Sequence, residues 1–120
     1  MPAFTKPMSG RGQSGDDLRK DLGQYIRDLR TKRDMTQADL AKAVGITYYT
    51  AISAIEVGRN VVPPERYLDF ARALGVNPKT FAKTVLRLTN PWLYALLYED
   101  DVEAAVTSIN ESIQGRGRGA

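Results

Sequence analysis

The sequence contains no cysteine and no histidine among its 120 residues. Without cysteine no disulfide can form, and without thiolate or imidazole ligands the usual structural zinc sites are excluded. The absence of histidine also removes every catalytic arrangement in which a histidine activates a nucleophile. We therefore expect a protein that holds no metal and no cofactor and that is not an enzyme.

Long apolar runs and strand-like patterns are also missing. No apolar stretch is long enough to cross a membrane, and the N-terminal sequence MPAFTKPMSGRGQSG lacks the apolar core of a signal peptide. No stretch alternates apolar and polar residues as a half-buried strand does. Because 42% of the residues are apolar and 26% are charged, we expect a globular chain with one modest core. The missing membrane span and signal peptide lead us to expect a cytoplasmic protein with no membrane partner.

Helical periodicity is present along most of the chain, where apolar residues recur at steps of three and four. This spacing predicts a first helix over about residues 17–33. Proline and cap signals predict a helix that follows Pro64 and ends at Gly75, and another that is capped by Asn77 and begins at Pro78. Asn90 and Pro91 then repeat the same cap-and-proline signal. The pattern favours an all-α fold.

Residues 36–59, TQADLAKAVGITYYTAISAIEVGR, predict two short helices joined by a tight turn. Thr36 is the expected cap of the first helix, and Gly45 ends it, because a chain that leaves a helix needs a positive φ at that point. Thr47 is the expected cap of the second helix, over about residues 48–57. With small polar and aromatic residues on its exposed side, this second helix is typical of an element that enters the major groove of DNA.

Three parts of the sequence together resemble the Xre/Cro-type helix-turn-helix family of phage-repressor-like regulators. They are LGQYIRDLRTKRDMTQADLAKAVG, the spacing of Ile52, Ile55, Glu56 and Gly58, and YLDFARALGVNP. The resemblance covers about residues 18–81. It implies a five-helix repressor-like helix-turn-helix domain, here with an extra C-terminal helical segment, and a role in transcription regulation.

The chain departs from the family by one extra residue between Gly45 and the first isoleucine of the second helix. Counting forward from Gly45 would bury Ala51 and Ala54. Counting back from the end of the helix would bury Ile52 and Ile55 instead. Isoleucine contributes far more free energy on burial than alanine does, so we prefer the isoleucine register.

The exposed side of the second helix carries the residues expected to read bases. Of the neighbouring tyrosines, Tyr48 and Tyr49, one is expected to bury its ring under the helix. The other is expected to meet base edges or thymine methyl groups together with Thr50. The expected base-contacting residues are Tyr48, Tyr49, Thr50, Ser53 and Ala54.

The resemblance also implies contacts with the DNA backbone and one internal pair. Gln37 matches the family's glutamine at a helix start, which binds a phosphate oxygen. Arg59 and Asn60 match a second phosphate-contacting loop, while Arg30 and Glu56 match an arginine and a glutamate that pair inside the domain. The expected phosphate-contacting residues are Gln37, Thr47, Arg59 and Asn60.

The net charge of +3 is unevenly distributed. Residues 1–90 hold 15 Lys and Arg against 9 Asp and Glu, giving +6, residues 91–114 hold none against 5, giving −5, and residues 115–120 add +2. A positive body attracts phosphates whatever the DNA sequence, and the acidic segment should face away from them. Ordinary solvated helix faces would give the same charges, so charge alone does not decide.

Residues 91–114 lie beyond the five expected helices and are rich in apolar side chains. They either dock on their own domain or pair with a second copy of the chain. Large apolar patches on small proteins usually mark interfaces, so we expect a homodimer. The residues expected at its interface are Trp92, Leu93, Leu96, Leu97, Val102, Val106, Ile109 and Ile113.

These expectations divide the chain into a disordered N-terminal arm (1–15), a helix-turn-helix DNA-binding domain (16–90), a C-terminal helical dimerisation segment (91–114) and a flexible tail (115–120). The expected function is that of a sequence-specific regulator, by default a repressor. It would bind its operator in double-stranded DNA as a homodimer, in a bacterial or phage-encoded protein found at the nucleoid.

Two alternatives come from other classes of function. The first is a protein-interaction module of the same fold, such as an antitoxin or co-regulator, that holds a protein partner through the C-terminal helices. The second is an enzyme in which Asp100, Asp101 and Glu103 hold a hard cation. Three clustered carboxylates on an exposed helix are usually a solvated face, which leaves this second alternative remote.

Overall fold

The structure, a computed structural model, describes the backbone of residues 8–119 and the side chains of residue 15 and residues 17–114. Seven helices and no strand are present in that part of the chain, which confirms the expected all-α fold. The helices are α1 (Met8–Lys32), α2 (Gln37–Ala43), α3 (Thr50–Glu56), α4 (Tyr67–Leu74, after a 3₁₀ turn at Pro64–Arg66), α5 (Pro78–Thr89), α6 (Pro91–Tyr98) and α7 (Val102–Gly119).

Two helices are longer than the sequence predicted. α1 begins at Met8, inside the arm that was expected to be disordered over residues 1–15. α7 continues to Gly119, through the predicted flexible tail over residues 115–120. Glycine costs about 1 kcal/mol relative to alanine in a helix, but neither stretch contains a proline that would block the hydrogen-bond ladder. Residues 1–7 of the predicted arm, and the last residue of the tail, lie outside the described part of the chain.

Three helices, α2, α5 and α6, begin where the cap signals predicted them. The Thr36 side chain accepts a hydrogen bond from the backbone at the start of α2. Asn77 does the same for the backbone N–H groups of Lys79 and Thr80 in α5, and Asn90 for that of Leu93 in α6. Side-chain acceptors of this kind satisfy the unpaired N–H groups of a first turn, so short helices gain defined ends.

One apolar core joins the first five helices. Tyr25 of α1 and Tyr67 of α4 both contact Phe81 of α5, with ring centroids 6.0 and 5.8 Å from that of the phenylalanine. α1 thereby forms the surface on which α3 and α5 pack. The buried core residues are Leu22, Ile26, Leu40, Ala41, Val44, Ile52, Ile55, Val62, Phe70, Ala71, Leu74, Phe81 and Val85.

The two C-terminal helices fold back on their own domain. α6 packs against α5, and α7 packs against both α6 and α1. Ala95 of α6 is buried, and the Trp92 indole N–H donates to the Asn110 side-chain oxygen of α7 at 2.9 Å. This is the intramolecular docking that the sequence allowed beside dimerisation. The predicted domain boundary at residue 90 falls on the cap between α5 and α6, and it stays a prediction.

α1 and α3 approach each other closely at Gly23. A β-carbon at this position would lie within 2.5 Å of the backbone carbonyl oxygen of Ile55 and would also overlap that of Glu56. Both obstructing atoms belong to the α3 backbone, which cannot rotate away as a side chain can. Only glycine therefore allows α3 to lie at this distance from α1.

We expect Gly23→Ala to lower the free energy of unfolding by about 1 to 3 kcal/mol, because it forces the two helices apart. Gly15→Ala in the same helix is the matched control. Its β-carbon would meet only the Arg19 guanidinium at 3.5 Å, so it should gain up to about 1 kcal/mol of helix propensity. Urea unfolding of the two variants measures both effects, and changes of the same sign would contradict the close approach.

Candidate nucleic-acid interface

The candidate interface begins at α2, whose N-terminus is held by a reciprocal pair of hydrogen bonds. The Thr36 hydroxyl oxygen accepts from the Asp39 backbone N–H at 2.9 Å, and the Asp39 carboxylate accepts from the Thr36 backbone N–H at 2.8 Å. The hydrogen bond from the Thr36 backbone N–H keeps the pKa of the Asp39 carboxyl below its usual range, and the Thr36 hydroxyl adds a smaller effect in the same direction. A capping box of this kind fixes where the helix starts, so Gln37 has a defined position as its first residue.

The turn between α2 and α3, residues 44–49, is held in place from both sides. Gly45 has the positive φ of +74° that its place after the helix predicted. The Ile46 backbone N–H donates to the Ala41 carbonyl at 2.8 Å, and its side chain packs against the core. Arg66 donates from Nη1 to the Val44 carbonyl oxygen at 2.6 Å. The turn therefore has its own core anchor in Ile46.

α3 begins later than the sequence predicted. It spans Thr50–Glu56, and Tyr49 occupies the cap position without a side-chain hydrogen bond. The prediction that Thr47 caps this helix is wrong, because the extra residue lengthens the turn and moves the helix start beyond it. Ile52 is fully buried and Ile55 is 4% exposed, as the isoleucine register predicted.

Both tyrosines in front of α3 are exposed, Tyr48 by 72% and Tyr49 by 54%. The expectation that one of them buries its ring is wrong, because Ile46 packs against the core from the same turn. Thr50 is exposed as well. Ser53 and Ala54, three and four residues further along the helix, are half-buried.

Tyr49 and Ala38 are shared by two shallow depressions on this surface. The depression toward α1 is lined by Arg30, Thr36, Gln37, Ala38 and Tyr49. The one toward the turn is lined by Ala38, Ala41, Lys42, Ile46, Thr47 and Tyr49. Lys42 is exposed and adds a cation to this surface that the sequence analysis did not select. Lys42 follows Ala38 by one helical turn, so both lie on the exposed side of α2. This spacing could have identified Lys42 from the sequence.

An ion pair between Arg30 and Glu56 joins α1 to α3. Arg30 donates from Nε to one Glu56 carboxylate oxygen at 2.6 Å and from Nη2 to the other at 3.0 Å. The Glu56 side chain is 3% exposed and that of Arg30 is 11% exposed. The hydrogen bonds to Glu56 raise the pKa of Arg30 above its usual value. The structure thus brings together the two residues that the family resemblance paired.

Two further hydrogen bonds extend this pair to the start of α2. Arg30 Nη1 donates to the Met35 carbonyl oxygen at 2.7 Å, in the loop before α2. The Gln37 side-chain amide donates to Glu56 at 3.0 Å, on the oxygen that also accepts from Nη2. Gln37 was expected to bind a phosphate. In the structure one of its two amide hydrogens is donated to Glu56 inside the domain, and the other makes no hydrogen bond with a described residue.

The loop after α3 carries the remaining residues predicted at phosphates. The backbone N–H groups of Arg59 and Asn60 both donate to the Ala54 carbonyl, at 2.9 and 3.3 Å, and both side chains are exposed. Arg19 of α1 donates from Nε to the Gly58 carbonyl oxygen at 3.0 Å. α1 therefore contacts this loop directly, and the loop lies at the opposite end of α3 from the tyrosines.

One of the acidic residues before α7 has a structural role. The Asp101 carboxylate accepts from the backbone N–H of Ala104 at 3.0 Å and so begins the helix. Across the described residues, Asp100, Asp101 and Glu103 included, no group of three acidic side chains is placed to hold a metal ion. In the same residues, no helix is both long and apolar enough to cross a membrane.

The fold and this surface define an all-α protein of the helix-turn-helix class. A family model described as a helix-turn-helix domain matches residues 21–83, which is more than half of the chain. The chain belongs to this family, which is a class of DNA-binding domains whose members are typically not enzymes. A search of curated proteins and a search of solved structures each gave no match.

The Arg30–Glu56 pair should show strong coupling in a double-mutant cycle. Glu56→Ala should lower the free energy of unfolding by about 3 kcal/mol, because it leaves the mostly buried guanidinium without its anion. Arg30→Ala should have a similar effect, and the double mutant should lose less than the sum of the two. Gln37→Ala removes a hydrogen bond and no charge, and as the control it should cost about 1 kcal/mol. Additive losses in urea unfolding would mean that the two charges do not interact.

Proposed function

We propose that the protein is a sequence-specific transcriptional regulator that binds an operator in double-stranded DNA with α3 in the major groove. The observation that carries the proposal is the exposed start of α3. Tyr48, Tyr49 and Thr50 are open to solvent there, while Ile52 and Ile55 of the same helix are buried. Membership in a DNA-binding family supports DNA as the partner.

Base contacts come from the exposed start of the helix. Tyr48, Tyr49 and Thr50 are exposed and are the principal base-contacting residues of this proposal. Ser53 and Ala54 follow Thr50 by three and four positions, so they lie on the same side of α3. Being half-buried, they contact the edges of bases only where the helix lies deep in the groove.

Phosphate contacts flank these residues on two sides. Gln37 uses its second amide hydrogen for a phosphate oxygen near the start of α2, and Thr47 adds its hydroxyl from the turn. Arg59 and Asn60 contact the backbone at the far end of α3. The +6 charge of residues 1–90 supplies the sequence-independent part of the attraction to DNA.

Repression is the simplest action for such a protein, since occupying a promoter requires binding and nothing else. The operator is bound in the cytoplasm of a bacterium, or of a phage-infected cell, at the nucleoid. Two subunits bind together. Half-sites about 34 Å apart would place their two recognition helices in successive major grooves on one face of the duplex.

The dimer contact is placed on the outer side of α6. Leu93, Leu96 and Leu97 are 42%, 61% and 59% exposed, and their spacing puts them on one side of the helix. The other residues predicted at the interface are half-buried within one subunit, so they offer less surface to a partner than the three leucines do. These are Trp92, Val102, Val106, Ile109 and Ile113.

The charges around α6 suit an antiparallel pair of copies. Arg87 lies just before the helix and is exposed, and the N-terminal end of a helix is itself positive. The residues directly after the helix, Glu99, Asp100 and Asp101, are acidic and exposed. A two-fold axis across the leucines would place the acidic end of each α6 beside the basic end of the other.

A protein-interaction module is the second candidate function, and the same surface favours it. An exposed row of leucines followed by three carboxylates also fits a partner helix with one apolar and one basic side. In that case the leucines would serve a different protein and the chain would be monomeric by itself.

DNA binding should be detectable by retardation of random genomic fragments at two salt concentrations. Affinity should fall steeply with salt, because neutralised phosphates release counterions.

Gln37→Ala and Arg59→Ala should weaken binding to all sequences alike, while Arg59→Lys keeps the charge and should retain most of the binding. Tyr49→Ala or Thr50→Ala should cost about 1 to 3 kcal/mol and loosen the sequence preference. Retention of no fragment at low salt would exclude the DNA-binding proposal.

The dimer should depend on the outer side of α6. Leu96→Glu should give a folded monomer by light scattering and circular dichroism, and its operator affinity should fall by about two orders of magnitude. Leu68→Glu is the matched control, since this leucine of α4 is 45% exposed and lies on a different helix. A wild-type protein that is monomeric at micromolar concentration would favour the interaction module. A Leu96→Glu variant that still dimerises would place the interface elsewhere.

A further inference from the structure

The exposed start of α3 contains no side chain that reads a base with two parallel hydrogen bonds. Residues 47–55, TYYTAISAI, include no arginine or lysine for guanine, no asparagine or glutamine for adenine, and no carboxylate for cytosine. The carboxylate that follows, Glu56, is held by Arg30 inside the domain. What this surface offers to bases is hydroxyl groups, methyl groups and aromatic rings.

Only one base presents an apolar group in the major groove. Thymine carries a 5-methyl group there, whereas the other base edges present hydrogen-bond donors and acceptors. A reading surface without bidentate side chains therefore discriminates most strongly through contacts with thymine methyl groups. Single hydrogen bonds from hydroxyls add less, because Ser and Thr accept several partners.

The depression between Tyr49 and Ala38 has the character that such a methyl group requires. The depression toward α1 exposes a mostly apolar lining, although Arg30, Thr36 and Gln37 also border it. Tyr49 is 54% exposed, and Ala38 contributes a methyl group from α2. Lys42 borders the neighbouring depression, where a cation suits a phosphate beside the base.

The two walls of this depression are fixed relative to each other. Ala38 belongs to α2, whose start is held by its capping box and by the bond from Gln37 to Glu56. Tyr49 directly precedes α3, which is locked to the core by its isoleucines. The space between Ala38 and the backbone of Tyr49 is therefore formed before DNA binds, which lowers the ordering cost at that moment.

We propose that the depression between Tyr49 and Ala38 receives the 5-methyl group of a thymine, so that each half-site of the operator is read there by apolar contact. The proposal rests on the proposed function and names the base that this surface selects.

The test uses deoxyuridine, which pairs as thymine does and lacks only the methyl group. An operator obtained by binding selection with the wild-type protein is remade with each thymine replaced in turn. One position in each half-site should bind about fourfold more weakly, the factor for one buried methyl-sized group at about 0.8 kcal/mol. The other replacements should leave the affinity unchanged.

Variants of the protein locate the methyl contact. Tyr49→Ala should bind the thymine and deoxyuridine operators equally, whereas Tyr49→Phe should keep the fourfold preference because it retains the ring. Tyr48→Ala is the matched control and should also keep the preference, whatever its overall affinity. Each comparison uses one protein on two DNAs, so it is independent of changes in folding, and low salt keeps weakened variants bound.

Three outcomes would overturn the proposal while leaving the proposed function in place. They are an operator without thymine in its half-sites, an operator in which no methyl removal weakens binding, and a preference for thymine that survives in Tyr49→Ala. Failure to select any DNA sequence would remove the proposed function as well. A preference lost only in Tyr49→Ala would support both.

Discussion

The ion pair between Arg30 and Glu56 is the contact on which the geometry of the reading surface depends. Glu56 lies at the C-terminal end of α3, where the helix dipole disfavours an anion, and its side chain is almost fully buried. A cation with two parallel hydrogen bonds offsets both costs. Because the carboxylate also accepts from Gln37, it joins α1, α2 and α3 at one point and sets the direction in which the start of α3 faces.

Much of the fold follows from chemistry between near neighbours in the sequence, and this part could be predicted. Caps such as Thr36 and Asn90 act within three residues, so their signals are local. The choice between burying Ile52 and burying Ala51 depended on side-chain size, which is known from the sequence alone. The resemblance to a known family supplied the pairing of Arg30 with Glu56, which no local signal contains.

The parts that could not be predicted depend on contacts between distant residues. Arg66 reaches the Val44 carbonyl from 22 positions away, and Arg19 reaches the Gly58 carbonyl from 39 positions away. From the sequence alone, both arginines would be interpreted as solvated surface charges. The exposure of both tyrosines likewise depends on how Ile46 packs from a lengthened turn, which is a property of the assembled core.

The close approach at Gly23 bears on how the reading helix loses its structure. α3 has seven residues, too few for a helix to persist by itself in water. Its last carbonyl groups lie against α1 where no β-carbon intervenes, so α3 cannot fray from that end without separating from the longest helix of the domain. The C-terminal end of α3 is consequently part of the global cooperative unit, and it stays folded for as long as the whole domain does.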